Sequence, residues 1–184
     1  ATSQVELIST GDADTEDLEN TLREVFAALP RERLVKTGTA LGAMPEAVRD
    51  VTERMDVSQG KLVMGFRTGI TSGDELYPAL LMLNGVYGGS LTSKLFMNVR
   101  EKMSLCYYAS SGIDRFKGVM VVSSGVDTEQ YETARKGILK QLDACRQGEI
   151  TEEELESTRS YLISNLKTGE DSPYNLDDFQ LGQV

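Results

Sequence analysis

The stretch NVREKMSLCYYASS, residues 98–111, is where the chain changes its period. Up to it, Leu95, Phe96, Val99 and Met103 recur at the three- and four-residue spacing of one helical face. Beyond it, Tyr107 to Ile113 reads as a strand, after a two-residue turn. Arg100 stands just before that turn and Tyr107 just after it. Working outward, Val119 to Val126 is a second strand, joined to the first through DRFKG. Helices are predicted over 128–147 and 152–167. The first carries Tyr131, Ala134, Ile138, Leu142 and Cys145 inward, and the second Leu155, Leu162 and Leu166. Thr151 with Glu154 three residues on forms a capping box for the second.

On the other side of the quoted stretch, Asp74 to Tyr87 and Thr92 to Met103 are predicted helices. Gly88 and Gly89 between them are read as a helix stop in the left-handed conformation. Further back, Val48 to Val57 and Lys61 to Thr68 read as strands. Leu62, Val63, Met64 and Phe66 suggest burial on both faces there. VELIST (5–10) is a strand candidate, and a helix follows from Thr15 to Leu29 with Asp14 as N-cap. Residues 30–47 have no period and are read as a connector. The order is strands, two helices, two strands, two helices, not strict alternation. The expected fold class is therefore α+β: a mixed or antiparallel sheet with helices packed on one face and the other face open. Strand alternation puts Tyr107, Ala109 and Ser111 on one side, and Cys106, Tyr108 and Ser110 on the other.

Composition excludes several functions. The net charge of −10, from 19 basic and 29 acidic residues, argues against nucleic acid and against anionic membrane surfaces. No apolar run reaches the roughly 18–20 residues needed to span a bilayer. The start has no basic segment followed by an apolar block, and two free thiols suit a reducing compartment, so the expected location is cytoplasmic. The chain has no histidine, which removes the commonest zinc ligand and the usual general base together. Cys106 and Cys145 are too few for a thiolate zinc site. The chain opens without Met and closes on SPYNLDDFQLGQV, which reads as a helix beginning, so a fragment of a longer polypeptide is expected.

Each candidate site has an ordinary reading beside the functional one. Arg100 alone is a surface arginine near a helix C-terminus, where its charge meets the dipole favourably. Tyr107 alone is a strand aromatic that packs. The run Gly88–Gly89–Ser90 lacks the preceding strand and the closely following lysine of a phosphate loop. The acidic run 149–156 needs only the helix dipole to explain it. Cys106 as a nucleophile lacks a histidine to activate it.

The segment NGVYGGSLTSKLFMNVREKMSLCYYASS (84–111) nevertheless resembles a region of the pitrilysin/insulinase family of zinc metallopeptidases, which includes the mitochondrial processing peptidases. The matching pieces are Gly88–Gly89–Ser90, Ser93–Lys94–Leu95–Phe96, Val99–Arg100–Glu101–Lys102 and Leu105–Cys106–Tyr107. GEITEEELESTRSYLISNL (148–166) resembles the helix start that follows in the family. VELISTGDADTEDLENTLREVFAALP (5–30) resembles the strand, turn and helix that close its preceding domain. The resemblance implies a processing-peptidase-like metallohydrolase fold, in which residues 1–47 close the preceding domain and connect it. Residues 48–184 would then be the non-catalytic domain, cut short at its C-terminus. It implies that Arg100 and Tyr107 bind the backbone of a peptide or unfolded polypeptide by donating to a carbonyl, on the sheet's open side. It implies no catalytic residue and no cofactor in this segment, with zinc on a partner domain or subunit that carries His-x-x-Glu-His. The alternative is a proteolytically inactive structural subunit of the same fold. A homodimer of the fragment is the remaining partner expectation, with no nucleic acid and no membrane.

Overall fold

Alternation along three strands decides where the core sits. In β1 (Gly60–Arg67), Leu62, Met64 and Phe66 turn inward, while Lys61, Val63 and Gly65 turn outward. In β3 (Val119–Val126), Met120, Val122, Ser124 and Val126 are buried. In β2 (Cys106–Asp114), Ala109 and Ser111 are buried. The strands run in the order β1-β3-β2 and pair antiparallel. Register sets Leu62 and Ala109 on either side of Ser124, and Met64 and Ser111 on either side of Val122. Gly118, at φ +57°, closes the β2–β3 hairpin in a conformation that glycine takes without strain. Asp114 accepts from the backbone N–H groups of Phe116 and Lys117 in the same turn.

The computed structural model describes residues 5–30, 38 and 40–182. Its helices are α1 (Thr15–Ala27), α2 (Tyr77–Asn84), α3 (Tyr131–Arg146), α4 (Glu152–Glu170) and α5 (Pro173–Leu181). Between α2 and β2 the helical winding is wider. A π turn, Gly85–Gly89, continues α2, and a π-helix spans Leu95–Lys102. Val86, Tyr87, Leu95, Val99, Ala134 and Ile138 meet Leu62, Val122 and Val126 in one cluster. The helices that supply it therefore cover one face of the sheet, as expected of the α+β class. Tyr87 is fully buried and donates its hydroxyl to the carbonyl of Ile138. No helix among the described residues is long and apolar enough to cross a membrane.

Two compact units divide the chain. One is residues 39–162 and holds the sheet; the other comprises described parts of 1–38 and 163–184. In the latter, Asp14 caps α1 by accepting from the N–H groups of Glu16 and Asp17, as its position in the sequence predicts. Thr10 donates to Asp177 in that unit.

Several expectations are corrected. Residues 5–10 and 48–57 are irregular, not strands. Their β-branched composition favours a strand, but a strand is stable only beside a partner, and neither segment pairs among the described residues. Val63 is exposed, so β1 is buried on one face only. Asp74 does not lie in α2. Its carboxylate accepts from the N–H and hydroxyl of Thr71 in the turn before the helix. Leu166, assigned to the inner face of α4, is exposed. Much of the expected connector, residues 31–37 and 39, lies outside the described residues, and 40–47 are irregular.

Gly88 is not in the left-handed conformation. A Cβ there would stand 2.6 Å from Ser111 Oγ and 2.8 Å from the Ser111 backbone nitrogen. Glycine is required because the π turn and β2 touch backbone to backbone. Asn84 Oδ1 accepts from Ser111 Oγ at 2.7 Å beside the same contact.

Candidate functional site

The corner quoted at the outset is built by a wide helix ending against a bulged strand. The N–H of Met103 donates to the carbonyl of Asn98 at 3.0 Å, and that of Leu105 to Val99 at 3.2 Å. Ser104 takes φ +50°, which reverses the chain so that Leu105 drops into the core. The strand then begins at Cys106. Cys106 lies opposite Val126 and Tyr108 opposite Gly125, so Tyr107 is an extra residue with no partner of its own. It is a β-bulge, which locally unpairs the ladder and re-aims a side chain.

The bulge overturns the grouping that alternation implied. Ala109 and Ser111 face the core, yet Tyr107 is 58% exposed. One inserted residue flips every residue before it to the other face, which is why Cys106 packs against the same core as Ala109. The bulge also leaves the Tyr107 carbonyl free of the ladder, and Arg100 Nε donates to it at 2.9 Å. The guanidinium of Arg100 lies over the Phe96 ring, 4.7 Å from its centroid, and Nη1 stands 3.0 Å from Glu101 Oε1. The Tyr107 hydroxyl donates to Asp127 Oδ1 at 2.9 Å.

Arg100 and Tyr107 are therefore adjacent. Together with Glu101, Ser104, Leu105, Cys106 and Asp127 they line one shallow depression of about 410 Å³. It lies at the end of the sheet, where β2 begins and β3 stops. A larger hollow of about 570 Å³ at the β2–β3 hairpin is mostly apolar, and Asp114 there is already committed to its own turn. The convergent polar groups are at the first site.

Electrostatics at the corner disfavour nucleophilic chemistry. The hydrogen bond to Asp127, and then that carboxylate's charge, hold the Tyr107 phenol above its ordinary pKa and so protonated. Burial pushes the Cys106 thiol up, against the lowering effects of its Ser124 hydrogen bond and the Arg100 charge. A thiol raised in this way is a poor nucleophile. Both cysteines are free. The sequence has no histidine, and no three Cys, Asp or Glu side chains are grouped as ligands among the described residues.

Sequence reasoning missed Asp127, the Glu101 contact and the bulge. Asp127 was within reach of it, because counting back from the hairpin turn sets the end of β3 beside the start of β2. It also missed a partly buried ion pair. Lys94 Nζ lies 2.7 and 3.0 Å from the two carboxylate oxygens of Glu154, and Glu154 also accepts from the Thr151 N–H at 2.9 Å. The capping box was legible, but its second partner was not.

Comparison with known proteins supplies the relatives. The family described as "Peptidase M16 inactive domain" matches residues 2–162. The "Probable inactive metalloprotease YmfF" of Bacillus subtilis is 36% identical over 182 residues, covering 98% of this chain and 42% of that protein. A conserved protein of Enterococcus faecalis, known from a crystal structure, is 36% identical with a TM-score of 0.77, over 90% of this chain and 40% of that one. The crystal structure of a peptidase M16 inactive domain from Pseudomonas fluorescens superimposes with a TM-score of 0.69 over 85% of this chain and 38% of that one. At 24% identity, that is a likeness of fold. The chain spans about two-fifths of the length of these relatives.

Proposed function

We propose, from the premise that this chain belongs to the peptidase M16 inactive domain family, that it is the substrate-binding, non-catalytic part of a larger zinc-metallopeptidase-like protein. Residues 1–47 close the preceding domain, and 48–184 form the domain that binds. Arg100 and Tyr107 grip the main chain of an extended or unfolded polypeptide, opposite a zinc site on another domain or subunit. One observation carries this reading. The arm of Arg100 is fixed by Phe96, by Glu101 and by the Tyr107 carbonyl, while its Nη2 has no hydrogen-bond partner among the described residues. A fixed guanidinium with N–H groups left over suits a ligand carbonyl, whatever the ligand's side chains. The fragment works in a reducing, cytoplasmic setting and has no nucleic-acid partner. Isolated from its other half, it self-associates through the surfaces that half would cover.

The test is Arg100→Ala in the full-length protein with its zinc-bearing half. Turnover of an unfolded polypeptide is expected to fall by about 10²-fold, as when one preorganised donor is removed in other proteases, with circular dichroism unchanged. Unchanged turnover overturns the assignment. A second reading, an inactive structural subunit, is favoured by the relative described as a probable inactive metalloprotease. The absence of His-x-x-Glu-His from both the preceding half and any partner chain would select it.

A further inference from the structure

The corner already engages part of each binding group, and the remainder defines the ligand. Tyr107 has one O–H and two lone pairs. Asp127 Oδ1, 2.9 Å away, belongs to a carboxylate that accepts and does not donate, so the hydroxyl proton lies in that bond. The phenol therefore offers lone pairs to the depression. Arg100 donates its Nε–H to the Tyr107 carbonyl and pairs Nη1 with Glu101, which leaves both N–H groups of Nη2 and at least one on Nη1. The depression that both residues line is thus offered a donor and an acceptor, not two donors.

We propose that Asp127 is a positioning residue that makes Tyr107 an acceptor, so that the site reads the N–H and C=O of one residue of an extended strand, which point to the same side. Arg100 Nη2 donates to that residue's carbonyl, and Tyr107 Oη accepts its N–H. This rests on the reading of the pair as a peptide-binding site, and replaces the expectation that both groups donate to one carbonyl. For Tyr107 to donate to a neutral carbonyl it would have to leave a charged acceptor, exchanging a stronger bond for a weaker one. The substrate class follows: extended peptides with an unsubstituted amide at this position. Proline and N-methyl residues there are rejected.

The probe is a fluorescein-labelled, unstructured 16-residue peptide of Lys, Ala, Ser and Gly, titrated into the full-length protein by anisotropy. A companion series replaces each backbone N–H in turn by an ester oxygen. With the wild type, one ester position should weaken binding about tenfold, the scale of one hydrogen bond. That penalty should vanish in Tyr107→Phe and shrink below about threefold in Asp127→Ala, where the freed hydroxyl can donate to the ester. Asp127→Asn, whose amide oxygen still accepts the phenol proton, should restore it. The phenolate absorbance of Tyr107, read as wild type minus Tyr107→Phe, should titrate at lower pH in both Asp127 variants, because the raised pKa comes from that carboxylate. Binding weakened by Arg100→Ala, with an ester penalty indifferent to Asp127, overturns the inference and leaves the peptide-binding reading standing. Binding indifferent to Arg100→Ala and Tyr107→Phe alike, or no binding by the wild type, overturns both.

Discussion

Replacing Lys94 by Met tests whether the half-hidden ion pair holds the start of α4 to the π-helix. The ammonium side chain is 9% exposed and its Glu154 partner 24%, with both carboxylate oxygens in contact. Methionine keeps the buried stem and removes the charge. Removing one member of a buried pair costs about 3–5 kcal/mol, because the other is left uncompensated. Glu154 keeps some water and the Thr151 N–H, so about 2–3 kcal/mol is expected here. For a chain of 184 residues this is about 4–12 °C in Tm. The pH dependence identifies the cause. Burial pushes the Glu154 carboxyl up, but the Lys94 hydrogen bonds and charge, with the Thr151 contacts, outweigh it and leave the pKa below the ordinary value. A depressed carboxyl stabilises the fold above its unfolded pKa and loses that contribution as pH falls through the folded one. At low pH the wild type also keeps a buried ammonium facing a neutral acid. The gap between wild type and Lys94→Met should therefore be largest near about pH 7 and narrow below about 1 kcal/mol near about pH 3. Adding Glu154→Gln to Lys94→Met should recover most of the loss. Urea unfolding across that range measures all three. A loss that is absent at neutral pH, or the same at both ends, refutes the electrostatic account.

Two further substitutions probe the backbone that builds the corner. Gly88→Ala places a methyl within 2.8 Å of the Ser111 nitrogen and 2.7 Å of Leu95 Cδ1. It should destabilise by about 1–3 kcal/mol through overpacking, read as a lowered Tm; an unchanged Tm would mean that the π turn and β2 have room to separate. Ser104 sits at φ +50°, where a side chain is strained. Ser104→Gly should hold or raise stability by about 0.5 kcal/mol, whereas β-branched Ser104→Val should lose about 1–2 kcal/mol. Equal melting of the two variants would remove left-handed strain as the reason.

The parts of this fold that were legible in the sequence are those fixed by local period. The strands around Val63, Ser110 and Val122, the long helices after Gly125, the Thr151 capping box and the Asp14 cap all repeat a pattern within a few residues. What escaped was set by non-local or one-residue events. Residues 48–57 have a strand's composition, but composition does not supply a neighbouring strand. Lys94 and Glu154 are 60 positions apart, and no periodicity joins them. The bulge matters most, because a period-two argument is only as good as its count. Continued unbroken from Ser111 and Ala109, alternation sends Tyr107 into the hydrophobic interior with them. The phenol would then have no route to Asp127, and the Tyr107 carbonyl would be tied into the ladder instead of meeting Arg100. The inserted residue frees the carbonyl that fixes the guanidinium and exposes the ring that Asp127 orients. Arginine and tyrosine thus come together through a single irregularity in β2. Deleting Cys106, so that Tyr107 takes its place opposite Val126, would restore regular pairing and separate them without touching either side chain.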